Sequence, residues 1–181
     1  RQPYSDHLPE CLLLAERIGS PTALPGFAEG HVLIQDAASC QVVALLAPRP
    51  GETVYDLCAA PGAKTTHVAQ RMQGRGRIVA LDSRERRLAK VLQNWERLRL
   101  PADLLETVAA DARTWRPDDG ALADRVLVDA PCSGLGTLRR HPETLIDLAP
   151  ERLDAYPPLQ SAILANGFAL LKPGGTLLYS T

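Results

Sequence analysis

Five short segments of the chain hold residue types that could bind a nucleotide-like ligand or act on one. The first is Asp56-Leu57-Cys58-Ala59-Ala60-Pro61-Gly62-Ala63-Lys64-Thr65. Small residues ahead of a helix start let backbone N–H groups approach a ligand closely. Lys64-Thr65 resembles the end of a phosphate-binding P-loop, but neither glycine position of that motif holds a glycine, and G-x-G-x-x-G is absent as well. A tight strand-to-helix turn is all that the spacing itself requires. The second is Asp82, which could accept both hydroxyls of an adenosine ribose or, with Glu85, cap the helix that follows. The third is Asp111, a turn residue that in a nucleotide site would lie within reach of an adenine amino group. The fourth is Asp129-Ala130-Pro131-Cys132-Ser133-Gly134, where a thiol stands outside the apolar setting of a core cysteine. The fifth, Arg139-Arg140-His141-Pro142, is either a solvated basic loop or a rim that grips phosphate.

The elements that must position these residues alternate. Short buried strands are predicted at Thr53–Leu57, Arg77–Leu81, Leu105–Ala109, Arg125–Asp129 and Thr176–Ser180. Helices are predicted at Gln35–Ala47, Lys64–Met72, Arg84–Leu98 and about Leu159–Leu171. Pro48, Pro50 and Gly51 end the first helix, and Lys172-Pro173-Gly174-Gly175 closes the last. In Arg84–Leu98 the residues Leu88, Val91, Leu92, Trp95 and Leu98 recur on one face. Residues 1–34, with Pro3, Pro9, Pro21 and Pro25, are expected to be an irregular lead-in, and residues 35–181 the main domain. Strands alternating with helices predict an α/β, Rossmann-like, doubly wound and mainly parallel sheet. Ligands bind such sheets beyond the carboxyl ends of the strands, where four of the five segments fall.

Composition sets outer limits. With 181 residues, 45% of them hydrophobic and 23% charged, the chain has the make-up of one globular domain. A formal net charge of -1 does not favour nucleic acid in bulk, so any RNA contact must come from a local patch. Of the 20 basic residues 17 are Arg, which follows from composition bias as readily as from phosphate binding. Cys11, Cys40, Cys58 and Cys132 form no C-x-x-C pair, so neither a metal site nor a disulfide framework is expected. A cytoplasmic protein without a membrane span is the expectation. The opening Arg1, in place of Met, suggests a piece of a longer polypeptide.

Taken in order, six stretches resemble the RNA 5-methylcytosine methyltransferases, the family of the NOL/NOP proteins and the bacterial RsmB (Fmu, Sun) branch. They are Ala23-Leu24-Pro25-Gly26-Phe27, Gln35-Asp36-Ala37, Asp56 to Gly62, Asp129 to Ser133, Arg139 to Pro142 and Gly174 to Thr181. The first and fifth lean towards the RsmB branch, whose substrate is small-subunit (16S) ribosomal RNA. The resemblance implies S-adenosylmethionine as cofactor, its methionine part wrapped by Cys58, Ala59, Ala60, Pro61, Gly62, Ala63 and Lys64. It puts the ribose on Asp82, the adenine side at Asp111 and the cofactor edge facing the base at Asp129, with Arg139, Arg140 and His141 against RNA. Ala63 departs from the family's glycine, which matters only if its φ is positive.

The resemblance also implies a mechanism. A cysteine thiolate adds to cytosine C6, C5 takes the methyl group, the C5 proton leaves and the thiol is eliminated. The attacking cysteine of the family lies in a Thr-Cys motif, so it would follow Thr181, and residues 1–181 alone are not expected to methylate RNA. Cys132 corresponds to the family's second cysteine, which assists proton removal and product release; it is the fallback nucleophile. Further strands beyond the fifth and an amino-terminal helical RNA-binding domain are implied elsewhere in the polypeptide. Alternatives are a tRNA cytosine-5 methyltransferase and an inactive RNA-binding scaffold. A nicotinamide dehydrogenase is disfavoured by the missing glycine fingerprint.

Overall fold

The computed structural model describes residues 3–5, 8–12, 14, 19–138 and 153–181. Among the described residues, seven strands and four α-helices follow in the order β1 (Pro3–Ser5), β2 (Leu8–Leu12), α1 (Ala37–Leu46), β3 (Thr53–Asp56), α2 (Ala63–Arg71), β4 (Arg77–Asp82), α3 (Glu85–Arg97), β5 (Leu105–Ala109), β6 (Ala123–Asp129), α4 (Tyr156–Ala169) and β7 (Leu171–Ser180). β3 to β7 form one sheet in the order β5-β4-β3-β6-β7, and every neighbouring pair is parallel. The expected α/β sheet, with helices on both faces, is what the chain builds.

Side chains alternate across that sheet with period two. Tyr55, Val79, Val126 and Val128 pack on one face with Ile163 of α4. Val54, Ile78 and Leu127, each next in sequence to one of these, pack on the other with Val43 and Leu46 of α1, Val68 of α2 and Trp95 of α3. Burial on both faces explains why the strands read as continuous apolar runs.

Three expectations need correction. The lead-in is not wholly irregular, because β1 and β2 pair as an antiparallel hairpin that buries Leu8. On α3, Leu88, Val91 and Trp95 are buried but Leu92 is 42% exposed, at the margin of the apolar stripe. Finally, Lys172-Pro173-Gly174-Gly175 does not separate helix from strand: it lies inside β7. Ala123 pairs with Leu171 and Arg125 with Thr176, so the segment bulges out of the ladder. At Gly175 a Cβ would stand 2.9 Å from the Asp124 carbonyl oxygen, a contact only glycine permits.

Candidate functional site

β3 stops short of its neighbours. Asp56, its last residue, is level with Ala80 of β4 and Leu127 of β6, and both of those strands run two residues further, to Asp82 and Asp129. The turn 57–62 fills the resulting notch at the carboxyl edge. Leu57 N–H donates to Leu127 O at 2.9 Å, Ala59 N–H to Leu81 O at 2.7 Å and Gly62 N–H to Ala59 O at 2.8 Å. Gly62 ends the turn with φ 103°, and a Cβ there would stand 3.0 Å from the Val91 Cα of α3. Ala63 is the first residue of α2 and is not among the residues with positive φ, so its methyl group carries no conformational cost.

A small cleft opens over this turn. Of the predicted residues it gathers Cys58, Ala59, Ala60, Pro61, Ala63, Lys64 and Asp129, and it adds Asp56. Lys64 Nζ lies 2.6 Å from Asp129 Oδ2, and Ser180 Oγ donates to Asp129 Oδ1 at 2.7 Å. Asp56 is 1% exposed; its Oδ2 accepts from Thr65 Oγ1 at 2.7 Å, while Oδ1 is buried without a hydrogen-bond partner. Burial pushes the Asp56 carboxyl up to about 7. Burial and then the charges of Asp56, Asp82 and Asp129 push the Cys58 thiol up to about 12, so it stays protonated and is no nucleophile. Asp56, Asp82 and Asp129, at three neighbouring strand ends, bring negative charge near this thiol, with Arg87 opposing them. A cleft with that charge and an unpartnered carboxylate oxygen fits a cationic ligand group, such as an ammonium or a sulfonium.

The other predicted residues that are described lie outside the cleft lining. Asp82, 3% exposed, accepts from Arg84 N–H at 3.0 Å through Oδ1 and pairs with Arg87 at 3.0 Å through Oδ2. Its Oδ1 bond closes a turn ahead of α3, whose N-cap is Arg84, without a side-chain cap bond. The capping box considered for Asp82 and Glu85 is not formed. Asp111 is a turn residue whose carboxylate is held by Arg113, Nη2 to Oδ2 at 2.5 Å, which lowers its pKa. Cys132 is exposed on the loop after β6. Arg139, Arg140 and His141 lie outside the described residues. No helix among the described residues is long and apolar enough to cross a membrane.

Residue reasoning missed Asp56 as a cleft residue, Ser180 and Arg87. Asp56 was visible as a charge ending an apolar strand. Ser180 depends on β6 and β7 being neighbours, in register at Asp129 and Ser180.

The parallel sheet with a carboxylate-rimmed cleft at its carboxyl edge defines a class, the Rossmann-like, S-adenosylmethionine-dependent methyltransferase fold. Solved structures agree. NSun6 from Pyrococcus horikoshii, described as with SFG, superposes with a TM-score of 0.79 at 33% identity, over 90% of this chain and 41% of that one. A methyltransferase homolog protein from Pyrococcus horikoshii does so at 0.75 and 34%, over 91% and 50%. Residues 43–181 match the 16S rRNA methyltransferase RsmB/F family, and the chain belongs to it. It is 43% identical over 175 residues to the probable ribosomal RNA small subunit methyltransferase B of Synechocystis sp., covering 96% of this chain and 39% of that protein. It is 44% identical over 159 residues to the ribosomal RNA small subunit methyltransferase B of Vibrio vulnificus, covering 88% and 37%. The chain thus spans about two fifths of the length of the curated relatives it matches.

Proposed function

We propose that this chain is the cofactor-binding part of a cytoplasmic enzyme that methylates cytosine C5 in RNA, with small-subunit (16S) ribosomal RNA as the substrate. The observation that carries the reading is the notch at the end of β3, where the turn Cys58–Lys64 lies among Asp56, Asp82 and Asp129, in a chain that matches the family over residues 43–181. S-adenosylmethionine, when bound, supplies an electrophilic methyl group on a positively charged sulfur.

The chain's own residues do the rest. The backbone of Cys58 to Lys64 wraps the methionine end, and Asp56 and Asp129 favour its positive charges. Asp82 accepts the ribose hydroxyls, and Asp111 borders the adenine. Asp129, held between Lys64 and Ser180, keeps a fixed orientation where cofactor meets base. Arg139, Arg140 and His141 bind RNA phosphate. The attacking thiol is that of a cysteine following Thr181; it adds to C6 and, once C5 carries the methyl group, departs as C5 loses its proton. Cys132 takes part in that proton removal and release.

The test uses the full-length protein, unmodified small-subunit rRNA and methyl-labelled cofactor, followed by digestion to nucleosides. Label in 5-methylcytidine is the expected result. Label confined to any other nucleoside refutes the assignment.

A further inference from the structure

The loop that carries Cys132 follows the end of β6. β6 ends where Ala130 N–H donates to Ser180 O at 2.8 Å, and Pro131 has no N–H to offer. The Ser133 hydroxyl accepts from Leu135 N–H at 3.4 Å, which is a bond within the loop. Among the described residues, one hydrogen bond ties 131–133 to an element elsewhere in the fold. Gln160, in the second turn of α4, donates its side-chain Nε2 to Pro131 O at 2.9 Å.

The same amide reaches Thr181 Oγ1, at 3.4 Å. An amide nitrogen carries two protons, so it can donate to both oxygens at once. One side chain thus spans the ends of β6 and β7 at the edge of the sheet where the cleft opens. It stands on a firm base. Ile163, Asn166 and Gly167 bury the inner face of α4, and Asn166 Nδ2 donates to Ala112 O at 2.8 Å. A group held by a packed helix sets distances better than one carried on a loop.

We infer that Gln160 is a positioning residue for the methylation reaction: its amide fixes the spacing between the loop bearing Cys132 and the chain leaving β7 at Thr181. The inference rests on the reading above, in which one thiol follows Thr181 and Cys132 assists release. Thiol addition at C6 and proton removal at C5 then take place on adjacent carbons of one ring, so the two segments must keep a set separation. A displacement of about 1 Å costs on the order of 10²-fold in rate.

Two variants of the full-length protein test it. Gln160→Glu keeps length and shape but at neutral pH cannot donate to a carbonyl, and Gln160→Ala removes the group altogether. In both, cofactor affinity and melting temperature should stay at the parent's level while turnover falls about 10- to 100-fold. A protein–RNA adduct that survives denaturing electrophoresis should accumulate, because release is slowed more than addition. Parental turnover without adduct in both variants overturns the assignment, as does loss of cofactor affinity in step with activity, which makes Gln160 a support of the fold alone. A parent protein that forms no 5-methylcytidine overturns the underlying reading and this inference with it. A parent that methylates beside two unaffected variants overturns only the role of Gln160.

Discussion

Lys64 Nζ sits 2.6 Å from Asp129 Oδ2, so the cation that lines the cleft is committed to one carboxylate and Asp56 is left to its burial. Ser180 supports the same pair from β7. The cleft therefore combines a fixed ion pair with a buried carboxyl whose charge is held back.

That arrangement has a pH signature. Burial pushes Asp56 up from 3.8 to about 7, so the folded chain holds a proton that the unfolded chain gives up. Its contribution to stability is full below about pH 4, declines as pH rises towards 7 and is flat above that. Asp56→Asn removes the term and keeps an acceptor for Thr65. Urea denaturation at a series of pH values should show the variant gaining on the parent between about pH 4 and 7, with a constant difference beyond. Parallel curves across that window contradict the assignment.

Asp82 is the ribose acceptor in this account, so Asp82→Ala should weaken cofactor binding by roughly 1–3 kcal/mol in the full-length protein. Isothermal titration with S-adenosylmethionine gives the number. An unchanged dissociation constant would mean that Asp82 only orders the turn before α3, through Arg84 N–H and Arg87.

The two residues at the start of α2 should differ in their effect on cofactor binding. Gly62 has φ 103° and lies against Val91, so Gly62→Ala should cost about 1–2 kcal/mol from backbone strain alone and loosen cofactor binding. At a helical position with φ not positive, Ala63→Gly should leave cofactor affinity unchanged and lower stability by about 0.5–1 kcal/mol. Thermal melts and the same titration distinguish them. Tighter binding by Ala63→Gly would show that the methyl group obstructs the cleft.

The strands and helices of the sheet were legible because β3, β4 and β6 are buried on two faces and each helix on one. Local pattern and tertiary role coincide there. The hairpin β1–β2 was not legible, since Pro3 and Pro9 argue against strands and its pairing leaves Leu12 49% exposed. The bulge in β7 follows from close packing of Gly175 on Asp124, a contact that no local pattern reveals. The carboxylates of the site were visible as charges ending apolar runs. Their partners were not: Lys64 and Asp129 are 65 residues apart, and Gln160 meets Pro131 across 29. Such pairs depend on strand order, which spacing along the chain does not encode.

The division of labour between two cysteines is the centre of the account, and a denaturing gel tests it most directly. The full-length protein carrying Cys132→Ala is mixed with S-adenosylmethionine and labelled small-subunit rRNA, then denatured. With Cys132 gone, addition to C6 and methylation of C5 should proceed while proton removal and release slow by about 10²–10⁴-fold, the usual effect of losing a proton-transfer group. Labelled RNA should then migrate with the protein, and additional replacement of the proposed attacking cysteine should abolish that band. If Cys132→Ala yields neither adduct nor methylated RNA while still binding the cofactor, Cys132 is needed for attack itself, and the proposed mechanism is wrong.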